Sequence, residues 1–354
     1  MTKVVVAGAL ASKPHKGGEA WVRLSYLLGF RKLGLETRFV EQIEQPSEEA
    51  VAYFEDATTR FGIEGTLVDR RGRPIAGEDV GGEDILVNVS GNLRAPSLLR
   101  SFGRTAFVDI DPGFTQFWHV LGLDLIPEHD VYLTIGANIG AAGCPIPTGG
   151  ITWHATRPPV VLDEWPVADG GFDRFTTVAS WRAPFGAIEP YGLKHHEWRK
   201  VLNLPELSGL PFEAALEIHA ADAADRDALR LHGWDLVDPD VAGDAVSFRN
   251  YVRASGAEFS VAQGIYVQTS SGWFSDRSAR YLASGKPVLA QDTGFDRYLP
   301  VGEGLLSFRS LGEAVVGARR IASDYDVHCA AARAIAEEYF DSEQVLGSLL
   351  EAVL

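Results

Sequence analysis

Short continuous runs of apolar residues, each closed by Gly, Asp or Pro, alternate along this chain with stretches of helical periodicity. Residues 3–9 form a β-branched run that meets Gly8. After a loop holding Gly17 and Gly18, an apolar-periodic helix is predicted over about 20–33 and stopped by Gly34. Residues 37–41 read as the next strand, so the first forty residues make a βαβ unit and imply a parallel sheet. Runs at 85–89, 105–110 and 131–135 continue the series, and their unbroken apolar character suits strands covered on both faces.

The pattern breaks between 149 and 166, at Gly149-Gly150, Arg157-Pro158-Pro159 and Trp165-Pro166, and then restarts. Predicted strands at 175–180, 212–218, 234–237, 259–262, 287–290 and 304–308 alternate with helices near 193–202, 222–231, 247–254 and 276–284. From residue 311 onward the sequence is helical. The fold class is therefore α/β: two doubly wound, Rossmann-like domains at 1–160 and 161–335, with a helical segment at 336–354 that crosses back. Two such domains leave a cleft between the C-terminal edges of their sheets, where ligands of open α/β sheets bind.

A length of 354 residues agrees with two domains, and 46% hydrophobic with 23% charged residues is ordinary for a globular protein. The formal charge of −16 is spread along the chain without a basic cluster, which argues against a nucleic-acid partner but leaves small phosphorylated ligands open. Cys144 and Cys329 are too few for a disulfide framework and lack zinc spacing, so a reducing, cytoplasmic setting is expected. The first apolar run has no cleavage pattern, and no run approaches the ~20 residues of a membrane span.

The most informative stretch runs from Ser270-Ser271-Gly272-Trp273 through Ser275-Asp276-Arg277 to Ala283-Ser284-Gly285-Lys286-Pro287-Val288-Leu289-Ala290, then Asp292-Thr293-Gly294. Ser275 or Asp276 can cap a helix whose free N–H groups suit a diphosphate, and Gly285 can close that helix. Arg277 and Arg280 lie three apart on it. The segment resembles the donor site of GT-B fold glycosyltransferases, of the family-four-like group. That resemblance covers the C-terminal third in motifs and the N-terminal half by fold alone. It departs from the family where a pair of glutamates is usual: Gly272 and Arg280 stand there instead. The donor sugar and the stereochemical outcome stay open, with Asp276 or Glu258 as substitute carboxylates.

On this resemblance the donor is expected to be held by Arg182, Lys194, Ser270, Ser271, Gly272, Ser275, Asp276, Arg277, Asp292, Thr293 and Gly294. In the N-terminal half, His15, Gly17 and Gly18 make an acceptor-side loop that carries neither a G-x-G-x-x-G fingerprint nor a P-loop. Asp109-Ile110-Asp111-Pro112-Gly113 places two acids and a turn beyond a strand, ahead of Phe114, Phe117 and Trp118. An acceptor hydroxyl needs a base, for which Asp111 is first choice and His119 and His154 are alternatives. Trp118, Trp153, Trp165, Trp181 and Trp273 fall in or beside predicted loops and are candidates for stacking on sugars. No metal-ligand spacing stands out beyond Asp109-Ile110-Asp111, and neither a metal nor another cofactor is expected.

The expected function is transfer of a sugar from a nucleotide sugar to a small-molecule or glycan hydroxyl. A sugar-nucleotide epimerase of the same fold and a non-catalytic nucleotide-sugar or glycan-binding protein are the alternatives. Oligomeric state is left open.

Overall fold

The computed structural model describes residues 2–82, 84–123, 125–182 and 188–354. The first sheet contains β1 (Lys3–Ala7), β2 (Glu36–Gln42), β3 (Glu64–Val68), β4 (Pro74–Ala76), β5 (Ile85–Val89), β6 (Arg104–Asp109), β7 (Val131–Thr134) and β8 (Trp153–Ala155), in the order β4-β3-β2-β1-β5-β6-β7-β8. All pairs are parallel except β3 with β4. Its helices are α1 (Gly17–Lys32), α2 (Glu48–Arg60), α3 (Pro96–Leu99) and α4 (Phe114–Val120).

The second sheet is all parallel, in the order β11-β10-β9-β12-β13-β14, from β9 (Phe175–Ser180), β10 (Phe212–Glu217), β11 (Trp234–Val237), β12 (Ala257–Ser260), β13 (Val288–Gln291) and β14 (Leu305–Phe308). Helices α5 (Lys194–Arg199), α6 (Leu204–Ser208), α7 (Ala223–Leu231), α8 (Ala245–Arg253), α9 (Gly264–Gln268) and α10 (Asp276–Ala283) connect it. Helices α11 (Leu311–Ser323), α12 (Tyr325–Tyr339) and α13 (Ser342–Val353) follow. α13 lies against α1, where a side chain on Gly29 would strike Leu346 and Ser342, and Asp341 bridges to Val160. No helix among the described residues is long and apolar enough to cross a membrane.

Three local features differ from the sequence reading or add to it. Residues 153–155, read as part of the domain crossing, form β8 on the edge of the first sheet. The acidic turn at 109–113 leads directly into α4, because Gly113 adopts φ 94° and its N–H is taken by the Gln116 side chain. The charged stretch 48–60 is a helix capped by Ser47; its apolar face buries only Ala50, Phe54 and Ala57, a weak stripe among polar residues.

The domains meet along a packed seam. Trp21 donates to the Ala245 carbonyl across it and packs edge-on to Trp165 at 4.8 Å. A Cβ at Gly17 would lie 2.2 Å from the Asp244 carbonyl oxygen, and one at Gly18 would lie 3.2 Å from the Phe248 ring. These glycines let α1 press on the backbone at Asp244 and on the Phe248 ring of the other domain, so their smallness serves the seam as well as the loop. Gly17→Ala is expected to cost about 1–3 kcal/mol by overpacking. A thermal melt checks this; an unchanged melting temperature would mean the seam yields freely.

Candidate active site

The C-terminal edges of β1, β5, β6 and β7 face those of β9, β10 and β12 across a cleft of about 470 Å³. Its N-terminal wall is built from Lys13, His15, Gly17, Gly18, Glu19, Arg23, Tyr26 and Asp111, and its C-terminal wall from Ser180, Lys194, Glu217, Tyr266, Trp273, Ser275, Asp276 and Arg277. α10 starts at this cleft. Ser275 has extended dihedrals, but its side chain makes no capping bond, and the first-turn acid is Asp276. The helix therefore opens on the cleft with its positive end and a set of N–H groups that lack intrahelical partners.

The Lys194 side chain, at the start of α5, makes no hydrogen bond or ion pair with any described residue. Burial and the neighbouring Arg277 charge, against a weaker pull from Glu258, bring its pKa down to about 7. A half-buried ammonium facing open space beside a helix N-terminus is poised to take an anion.

Arg277 is engaged inside its own domain. Its Nε donates to Glu258, its Nη1 to the Val178 carbonyl at 2.7 Å and its Nη2 to Ser260 at 2.9 Å. Glu258 is 0% exposed, and its other oxygen has no partner. Burial pulls the Arg277 pKa down, but Glu258 outweighs it and the net shift is upward. Arg277 thus serves first as counter-ion to a buried carboxylate.

On the opposite wall, Asp111 accepts from the Tyr266 hydroxyl at 3.2 Å across the domain boundary. Burial, the Asp109 charge and the Glu19 charge raise its pKa to about 7. Asp109 itself is 0% exposed and takes Thr115, Gln116 and Thr134 side chains at 2.7, 2.8 and 2.7 Å, plus the Asp111 N–H. Both Asp109 oxygens are committed to this network. Asp109 and Asp111 therefore do not form a matched pair of metal-ready carboxylates; Asp109 anchors the turn that presents Asp111.

Eight of the residues expected to act as base, donor ligands or acceptor-side loop line the cleft: Asp111, Lys194, Ser275, Asp276, Arg277, His15, Gly17 and Gly18. The others do not. Arg182 is clamped by both oxygens of Asp222 on the domain surface. Ser270, Ser271, Gly272, Thr293 and Gly294 form a second seam: Asn138 bonds the carbonyls of Ser270 and Gly294, its N–H bonds the Ser271 carbonyl, and Gly272 bonds Thr293. Asp292 closes its own turn on Gly294 and pairs with Arg309. His119 lies on α4 beside Gly149, and His154 is exposed on edge strand β8. Trp165 and Trp181 are fully buried, Trp153 packs on Phe107 and Tyr132, and Trp118 packs on Phe114. Among these tryptophans only Trp273 lines the cleft, stacked on Tyr266 at 4.6 Å.

The sequence reading missed Glu19, Arg23, Tyr26 and Tyr266. The first three share a face of α1, but 3.6-residue spacing does not tell a cleft face from a core face. Tyr266 sits on the five-residue α9, too short to leave a periodic signal.

No family model matches the sequence, and no curated protein matches it. By structure the chain is similar to an alpha-glucosyltransferase solved with UDP, at TM-score 0.63 and 12% identity over 99% of both chains. It is also similar to Anabaena HepE solved with UDP and glucose, at TM-score 0.61 and 12% identity over 99% of both chains. AviGT4, a glycosyltransferase involved in avilamycin A biosynthesis, matches at TM-score 0.60 and 12% identity, over 99% of this chain and 97% of its own. Two doubly wound domains facing across a cleft, matched end to end by these structures, give this chain the GT-B fold.

Proposed function

We propose that the protein transfers a sugar from a nucleotide sugar to an acceptor hydroxyl, with the donor diphosphate at the N-terminus of α10 and Lys194, and Asp111 as base. The observation that carries this reading is the pair of opposed groups in one cleft, an unpartnered Lys194 and a proton-accepting Asp111, each with a pKa near 7. Solved neighbours hold UDP, so UDP-linked donors are the first to test. In this reading, positive charge at Lys194 and the helix end stabilises the departing diphosphate without a metal.

Position 280, where the family's glutamate is usual, holds Arg280 in a contact with Asp276 and over the Trp165 ring at 5.9 Å. Asp276 faces the cleft whereas Glu258 is sealed beneath Arg277, which favours Asp276 as the substitute acceptor of donor hydroxyls. The alpha-glucosyltransferase neighbour was also solved with a 13-mer DNA. With a charge of −16 and no basic cluster, a small-molecule or glycan acceptor is the better match here.

Isothermal titration of the protein with uridine, UDP and UDP-sugars, followed by an assay for UDP release with and without acceptors, tests the reading. Binding with acceptor-dependent release supports transfer; binding without release supports a non-catalytic homologue; absence of binding to any nucleotide rejects the donor site. Lys194→Met is expected to weaken UDP by about 10–100-fold, from about 1.5–3 kcal/mol for a charge-assisted contact. The same variant is expected to raise the melting temperature of the free protein, by about 2–4 °C per kcal/mol recovered, since it removes a half-buried charge beside Arg277. Because only the ammonium form binds, UDP affinity is expected to fall as pH rises through about 7; a flat profile from pH 7 to 9 would remove Lys194 from the site.

A further inference from the structure

The two helices that open on the cleft carry the same arrangement. In α1 Glu19 is followed four residues later by Arg23, and in α10 Asp276 is followed four residues later by Arg280; in each pair the arginine folds back onto the acid. The pairs come from different domains and meet: the Arg23 charge acts on Arg280, both act on Tyr26, and Arg280 reaches Ser25 of α1 at 3.3 Å. Arg23 is 3% exposed yet lines the cleft. Its Nη1 is bound to Glu19, its Nε is buried without a partner, and Nη2 makes no hydrogen bond among the described residues. Gly8 makes this placement possible, since a Cβ there would lie 2.7 Å from the Arg23 Cγ and 3.1 Å from its Nε. Including Lys13, which approaches Glu19 at 3.9 Å, the group of Lys13, Arg23, Arg280, Glu19 and Asp276 carries one more positive than negative charge.

We infer that Arg23 is a phosphate-binding residue supplied by the N-terminal domain, which places a guanidinium against the donor diphosphate from the wall opposite Lys194. This rests on the nucleotide-sugar reading above. The reason is geometric: Arg23 lines the same cleft as Ser275 and Asp276 at the helix end proposed to carry the phosphates, close enough to α10 for its charge to act on Arg280, with donor capacity that the protein leaves unused. A guanidinium suits phosphate oxygens, and its burial makes an unmet donor costly until a ligand meets it. Phosphate binding then requires both domains, so the donor's leaving group is fully stabilised only with α1 seated on the cleft.

The test is titration of wild-type, Arg23→Gln, Arg23→Lys and Gly8→Ala proteins with UDP and with uridine. Arg23→Gln is expected to weaken UDP by about 10–100-fold while uridine affinity stays at the wild-type value, which also shows that the variant is folded. Arg23→Lys is expected to recover part of the loss, and Gly8→Ala, which keeps the arginine but displaces it, to weaken UDP selectively. Equal losses for UDP and uridine, or UDP affinity unchanged in Arg23→Gln, would overturn the assignment. If the wild-type protein binds no nucleoside diphosphate, both this inference and the donor reading fail; wild-type binding that survives Arg23→Gln sinks only this one.

Discussion

Asp111→Asn is expected to lower turnover by about 10²–10⁴-fold, the usual contribution of a general base, and to leave UDP affinity unchanged. The magnitude follows from position and protonation. Asp111 stands at the C-terminal edge of the first sheet, on the wall facing Lys194, and the Asp109 network fixes its turn. A base with a pKa near 7 is half ionised at neutral pH and still strong enough to take a hydroxyl proton. The wild-type rate is therefore expected to rise with pH through about 7, and the asparagine variant to lose that limb. Stability runs the other way. The folded protein holds the Asp111 proton more tightly than the unfolded chain, so the contribution present at low pH is lost as pH climbs from about 4 to 7. Asparagine removes that loss, and the variant is expected to melt above wild type at pH 8. Full activity in the variant would dismiss Asp111 as the base, and a parallel loss of UDP affinity would mark it as a binding residue.

Arg277→Ala is expected to destabilise the protein by about 3–5 kcal/mol, the range for stranding one partner of a buried ion pair. Glu258 sits on β12 with no exposure, and Arg277 is its salt-bridge partner. Chemical denaturation of the C-terminal domain's transition measures the loss. Pairing Arg277→Met with Glu258→Gln is expected to restore most of it, because exchanging both partners leaves no isolated charge. The double variant also separates structure from ligand binding: retained UDP affinity supports a structural role, whereas restored stability with lost affinity would return Arg277 to the donor site. From sequence alone this arginine reads as a phosphate ligand with about 1–3 kcal/mol in donor binding. The geometry moves its largest effect to the folding of the domain that carries the site.

That difference shows where sequence reasoning runs out. The strands at 85–89, 175–180 and 234–237 are legible residue for residue, because short runs rich in β-branched, aromatic and apolar residues stand between helical stretches and turn residues. α2 and α4 are not, since one has a thin apolar stripe and the other rests on a glycine with φ 94° and a glutamine cap. Among the candidates, Ser275, Asp276 and Lys194 line the cleft, because each stands at a helix start near the strand ends. Ser270, Gly272 and Gly294 lie at a domain seam instead: small polar residues beyond a strand suit a ligand or a seam equally, and here Asn138, far away in sequence, is what they meet.

By itself, the sequence determined the two doubly wound domains, the cleft at their strand ends and the acidic turn on one wall, because these follow from local periodicity, turn residues and the direction of parallel strands. Only the tertiary structure decided which charges are free. Arg277 is claimed by Glu258 and Arg182 by Asp222, while Lys194 and one side of Arg23 are left to the cleft. A side chain's availability depends on the partner that packing brings to it, and for Arg277 and Arg182 that partner lies on another element of the chain.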